Sequence, residues 1–316
     1  DELEPGYFYL FNDSALGNIT FEGFGSLVHE TKQLLFGDNI TIAQGAEIIF
    51  NDHLKILIAG NFTSYGTLRF NNGYVQINGN CAVCSSDKGQ GLYMTYENDY
   101  LFIKGDLLLH NEYGIYTDHL TRGTVELKGN FTQKGTKSNY EEIGTHKTIF
   151  SGDQKQIISW ESPNYYNTFG QYLELQNTNI EFATPLYNFT LNQDFTIEEG
   201  IEIEVANNLN LNGYKLFTIG RIDYKILNKN NSIIIPGCYF TLTPISQNDG
   251  NCTENGNAMY WICTKCDTVY LDEWCQIVAL KEDVVIPALG HNWNEGVINP
   301  VSTCKTHGTK TYTCLN

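Results

Sequence analysis

The chain has 316 residues, with 36 acidic side chains against 19 basic ones and a net charge of −17. That balance excludes a surface built to hold nucleic-acid phosphate, which needs basic patches, and it disfavours docking on anionic lipid. No apolar run approaches the ~18 residues that a membrane-spanning helix needs, so no membrane insertion is expected in this segment.

The opening Asp1-Glu2-Leu3-Glu4 would suit a mature terminus left by cleavage of a leader. Tyr7-Phe8-Tyr9-Leu10-Phe11 follows as an unbroken apolar β segment. Its plain role is a capping strand over the first coil of a stack. Its sharper role is strand addition to another copy of the chain, that is, self-association. Ser26–Leu35 carries the best helical signal of the chain, and a weak one.

A Gly-Asn or Gly-Asp pair followed by an apolar run then recurs at Gly37, Gly60, Gly79, Gly105, Gly129 and Gly152, in steps of 23, 19, 26, 24 and 23 residues. A period of roughly 20–25 residues marks a solenoid, whose coils bury their apolar sides only by stacking on one another. Residues 61–79 show one coil. Asn61-Phe62-Thr63, Thr67-Leu68-Arg69-Phe70 and Tyr74-Val75-Gln76-Ile77 read as three short strands split by Gly/Asn turns. Leu68/Phe70 and Val75/Ile77 alternate as strand residues with one buried face. Similar coils fall at 39–60, 106–129, 130–152 and 201–220. Stretches 81–98, 133–147 and 159–172 break the rhythm and read as loops, the place where solenoids carry binding surfaces. Trp160, Tyr165, Tyr166 and Tyr172 are the candidate glycan-binding aromatics of the last one.

Eight asparagines begin Asn-x-Ser/Thr and are candidate glycosylation sites: Asn12, Asn18, Asn39, Asn61, Asn130, Asn188, Asn230 and Asn251. Three of them spell Gly-Asn-(Ile/Phe)-Thr at coil starts, so the coil motif itself is the competing explanation. Catalytic residues are harder to find. The acidic pairs Glu141-Glu142, Glu198-Glu199 and Glu282-Asp283 point to opposite faces if they lie on strands. The seven histidines are dispersed, and no nucleophile triad or phosphate loop is present. No enzyme is expected.

Seven of the nine cysteines crowd the last 80 residues. Cys252-Thr-Glu-Asn-Gly256, Tyr260-Trp-Ile-Cys263 and Cys266 are followed by Ile286-Pro-Ala-Leu-Gly290-His291-Asn-Trp293. Cys304-Lys-Thr-His-Gly308 and Tyr312-Thr-Cys314 begin a second copy that stops at Asn316, as though cut in mid-repeat. This pattern resembles small repeats in the tails of bacterial and some protist surface proteins, "C-T-E-x-G-x-x-x-Y-x-C-x-x-C" with "I-P-A-x-G-H-x-W". Residues 201–216 and Ile149–Ile158 are similar to coils of right-handed parallel β-helix surface proteins of bacteria. The resemblance implies an extracellular or cell-surface protein and no catalysis.

Two chemistries are open for the tail. Disulfides Cys252–Cys263 and Cys266–Cys275, with Cys304–Cys314 as the equivalent of the first, fit the two-copy comparison and an oxidising compartment. Cys252, Cys263, Cys266 and His291 would alternatively make a four-ligand zinc set. Cys81-x-x-Cys84 is read as a local bridge stapling a corner loop, and Cys238 is left over.

The expectation is therefore a mostly β protein. A right-handed parallel β-helix with an N-terminal capping strand spans 1–235, followed by disulfide-stapled β modules at 236–293 and, truncated, 294–316. The expected function is a non-enzymatic surface rod that self-associates end to end or projects an attachment module. A carbohydrate-binding adhesin is the second reading, and a polysaccharide lyase or hydrolase the third.

Overall fold

A computed structural model describes residues 7–9, 14–15, 17–28, 33–51, 55–85, 90–111, 119–135, 140, 144–161, 169 and 172–316. It divides into two compact units, Asp1–Ile234 and Ile235–Asn316. The first is a parallel β-solenoid with three faces. Strands from successive coils build one five-stranded sheet and two eight-stranded sheets.

Strands form where the sequence alternates apolar and polar residues, and every coil turns at Gly or Asn. The coil read from residues 61–79 has strands Phe62–Ser64, Thr67–Asn71 and Tyr74–Ile77. Registers hold the inward positions in columns. On one face Ile40, Phe62, Cys81, Leu107, Phe131 and Ile158 stack in that order, and all six are buried. On another, Ile58, Ile77, Ile103, Leu127 and Phe150 do the same. Phe131 anchors an aromatic cluster, its ring centroid 4.9 Å from Trp160, 5.2 Å from Tyr140 and 5.2 Å from Phe169. Edge-to-face contacts of this kind add to the area that each ring buries.

The recurring Gly-Asn pair has a physical cause at one corner of the solenoid. The asparagine of each coil accepts a backbone N–H from the next. Asn61 N donates to Asn39 Oδ1 (2.7 Å), Asn80 N to Asn61 Oδ1 (2.8 Å) and Asp106 N to Asn80 Oδ1 (2.8 Å). Asn130 N donates to Asp106 Oδ1 (2.7 Å) and Ile157 N to Asn130 Oδ1 (2.8 Å). The preceding glycines stack as a second column, with Gly79 N on Gly60 O, Gly105 N on Gly79 O and Gly129 N on Gly105 O. A Cβ on Gly129 would lie 2.3 Å from Gly105 O, so the column admits no side chain there. The motif is one residue out of phase at Gly37-Asp38, where Asp38 takes the glycine position below Gly60 and Asn39 the ladder position.

At Gly152 a buried glutamine replaces this device. Gln156 Nε2 donates to Leu127 O (3.0 Å) and Gly129 O (2.7 Å), while Gln156 Oε1 accepts from Gly152 N (2.9 Å) and Asn177 Nδ2 (3.0 Å). Four partners satisfy the amide, as burial requires. Beyond Phe182 the solenoid continues in two three-stranded sheets, with strands up to nine residues long such as Glu202–Asn210. Asparagine pairs link its coils too, among them Asn207 to Asn188 (2.9 Å) and Asn230 to Asn210 (3.0 Å).

Several expectations are corrected. The described residues of Ser26–Leu35 are not helical: Phe24–Val28 and Gln33–Phe36 are strands, with Leu34 and Phe36 buried while Gln33 and Leu35 point out. A two-residue period overrides the weak helical signal. Tyr7–Tyr9 is the first strand of the five-stranded sheet, paired in parallel with Ser26–Val28. Leu10 and Phe11 lie outside the described residues. Cys81–Ser85, in the stretch read as a loop, is a strand between Phe62–Ser64 and Leu107–Asn111. Gln156–Trp160 likewise extends regular structure into the stretch read as irregular.

Candidate metal centres in the cysteine-rich unit

All nine cysteines are free thiols, which overturns the expected disulfides of Cys81, Cys84, Cys252, Cys263, Cys266, Cys275, Cys304 and Cys314. For Cys81 and Cys84 the reason is strand geometry. Residues three apart on a strand face opposite sides and lie about 10 Å apart, beyond the Cα separation that a disulfide spans. Cys81 is buried in an apolar column, which raises its thiol pKa, and Cys84 is half-buried on the outer side.

In the second unit the antiparallel pairing decides which sulfurs meet. Strand Leu242–Ile245 pairs with Tyr260–Cys263, Leu242 lying opposite Cys263. The short 3-10 helix Gly237–Thr241 that precedes it therefore delivers Cys238 beside the hairpin turn carrying Cys263 and Cys266. The sulfurs of these three lie within 4.8 Å of one another, and Cys238 Sγ is 3.4 Å from Cys266 Sγ. Thr241 Oγ1 lies 3.1 Å from Cys263 Sγ, and Thr268 Oγ1 3.1 Å from Cys266 Sγ. Asp267, with φ of 58°, closes the turn, and Cys263 N donates to Thr268 O (3.0 Å). Cys275 packs in the same small core with Cys263 and Tyr270, against Cys238.

The thiols are electrostatically unequal. Burial opposes ionisation of Cys263, yet hydrogen bonds from Thr241, Cys238 and the Cys266 backbone outweigh it and bring its pKa down to about 6. Burial pushes Cys238 up to about 11, against a hydrogen bond from Tyr270. Burial and the neighbouring cysteines push Cys275 up to about 12.

A second cluster gathers Cys252, His291 and Cys314 within 4.8 Å. Cys252 Sγ is 3.4 Å from Cys314 Sγ, and the bridge between Trp293 and Cys314 brings the C-terminal segment beside His291. The His291 hydrogen bond lowers Cys314 to about 6, while Cys314 raises Cys252. His291 also stacks on Trp293, with centroids 4.4 Å apart. The four-ligand set expected from the sequence is thus split. Cys263 and Cys266 join Cys238, whereas Cys252 and His291 join Cys314, and Cys304 stands exposed. Sequence reasoning missed Cys238 because it precedes the repeat and is brought in only by the Leu242–Cys263 pairing.

No protein-family model, curated protein or solved structure matches this chain.

The remaining candidates are dispersed. Trp160 is buried in the aromatic cluster, which removes it from any exposed glycan platform. Tyr172 is half-buried, and Tyr165 and Tyr166 lie outside the described residues. Asn18, Asn39, Asn61 and Asn130 belong to the corner ladder, with Asn39 Nδ2 donating to Asn18 Oδ1 (2.9 Å). Asn188 and Asn230 belong to the later asparagine pairs. Asn251 Oδ1 accepts from Thr253 N and Glu254 N (both 2.9 Å) in a local turn. Asn12 is outside the described residues. Asp283, of the third acidic pair, accepts the Leu280 N–H at 2.9 Å and caps a 3-10 helix.

Proposed function

We propose that this chain is a non-enzymatic structural protein of a cell surface or extracellular matrix, whose solenoid acts as a stiff element that associates end to end with other copies. The supporting observation is that, among the described residues, a strand at each end of the solenoid pairs on one side only. Tyr7–Tyr9 is the terminal strand of its sheet, and so is Arg221–Asn228 at the other end. The latter is eight residues long and mostly exposed, including Tyr224 and Ile226. Unpaired edges of this kind are templates for another strand. Two different ends that complement one another make a heterologous contact, which generates open filaments. The net charge of −17 repels copies side by side and leaves the ends as the favoured contact.

The test is deletion of residues 1–12, read by electron microscopy and light scattering. Loss of polymer is the expected outcome. Assembly that proceeds unchanged refutes the role of the Tyr7–Phe11 segment.

A further inference from the structure

We propose that Cys238, Cys263, Cys266 and Cys275 hold a structural zinc ion. Three sulfurs converge from the 3-10 helix Gly237–Thr241 and the hairpin turn after Tyr260–Cys263, and Cys275, in the turn that follows Val269–Tyr270, packs in the same small core. A tetrahedral zinc with bonds of about 2.3 Å sets its sulfurs about 3.8 Å apart. Cys238 and Cys266 at 3.4 Å, and three sulfurs within 4.8 Å, already have that spacing. Cys275 completes the set from the same core, and its backbone is held at φ 57°, a left-handed conformation that a non-glycine residue adopts at a cost. The turn is pinned by Asp272, whose carboxylate accepts the N–H groups of Trp274 (3.0 Å), Gln276 (2.9 Å) and Ile277 (2.7 Å).

Two further observations favour metal over a pair of disulfides. Polar groups lie against the sulfurs: Thr241 Oγ1 is 3.1 Å from Cys263 Sγ, Thr268 Oγ1 is 3.1 Å from Cys266 Sγ, and the Cys266 backbone N–H donates to Cys263. Such donors stabilise metal-bound thiolates, as outer-shell partners do at zinc sites, and do little for a neutral disulfide sulfur. The unit also has little else to hold it. Its buried cluster consists of Cys263, Tyr270 and Cys275, while Leu271, Ile277, Val278, Leu280 and Leu289 are exposed. A domain of about 80 residues with so small a core needs a staple, and bound zinc contributes folding free energy directly. On binding, each cysteine releases its thiol proton to solvent, and four thiolates around Zn²⁺ leave a site of net charge −2.

The experiment uses the full chain, purified in the reduced state and titrated with Co²⁺ as a spectroscopic probe. The expected result is a sulfur-to-cobalt charge-transfer band with the intense visible bands of tetrahedral cobalt, bleached by added Zn²⁺. The double variant Cys263→Ser/Cys266→Ser should lose them, while Cys252→Ser/Cys314→Ser keeps them. Cys275→Ser should lower the charge-transfer intensity by about a quarter, one ligand of four. Loss of a ligand also loosens the unit, so Thr241→Val supplies a variant that keeps all four sulfurs. It should weaken zinc roughly 10–100-fold, the usual effect of an outer-shell loss. The proposal is overturned by absence of the charge-transfer band, by a band indifferent to Cys263→Ser/Cys266→Ser, or by a Cys238–Cys266 disulfide peptide in zinc-free protein as isolated.

Discussion

Replacing Gly105 with alanine tests the glycine column. The new Cβ would lie 2.6 Å from Gly79 O and 2.3 Å from Asn80 Oδ1. Gly79 O is backbone of the preceding coil and cannot rotate aside, so the two coils must separate locally. Overpacking of this sort costs about 1–3 kcal/mol. Asn80 Oδ1 must also leave, which forfeits its 2.8 Å bond from Asp106 N, a further ~0.5–1.5 kcal/mol. The expected destabilisation is therefore about 2–4 kcal/mol. Gly23→Ala is the control: it has nothing within 4 Å and a φ of +87°, so its cost is the left-handed strain alone, about 1–2 kcal/mol. Urea unfolding followed by circular dichroism gives the magnitudes. Hydrogen exchange locates them, because the amides of Asp106 and Gly129 should lose protection first. A Gly105→Ala protein within ~0.5 kcal/mol of the parent, or no more perturbed than Gly23→Ala, would refute the column as the cause of the sequence rhythm.

Acid should destabilise the solenoid through His146. Burial lowers its pKa from 6.5 to about 4, against the opposing bond from Nδ1 to Arg122 O. The unfolded chain takes up a proton below pH 6.5 that the folded one refuses until about pH 4. Stability is thus full above pH 6.5 and falls across that window by about 3 kcal/mol at most. A His146→Gln variant with an unchanged pH dependence between 6.5 and 4 would show this assignment to be wrong. Gln156→Leu should cost several kcal/mol, because Gly152 N, Gly129 O and Asn177 Nδ2 each lose a bond to the amide, while Leu127 O keeps only the Ser151 N–H. Thermal unfolding of that variant at parental temperature would contradict it. Phe131→Ala should cost about 3–5 kcal/mol by opening a cavity among Trp160, Tyr140 and Phe169. An effect below 1 kcal/mol would mean that the cluster collapses to fill the space.

The solenoid was legible because its signal is local. Alternation at Leu68/Phe70 and Val75/Ile77, with Gly and Asn at the corners, needs only a few neighbouring residues to be read. The phase error at Gly37-Asp38 arose because Asp38, not Gly37, stands at the glycine position and Asn39 at the ladder position. The cysteine chemistry was misread for the opposite reason. Sequence comparison pairs cysteines by spacing, whereas Cys238 reaches Cys263 through the pairing of Leu242 with Cys263, and Cys314 reaches Cys252 across 62 residues. Cys81 and Cys84 were misplaced because a Cys-x-x-Cys spacing says nothing about strand or turn, and only the flanking partners Phe62 and Leu107 decide it.

The asparagine ladder climbs by unequal strides of 22, 19, 26, 24 and 27 residues, yet each step closes the same bond. The corner thus behaves like a spine to which ribs of any size attach. Lengthening a coil anywhere but at that corner leaves the spine intact, so the molecule's girth is free to change over evolutionary time while its axis is not.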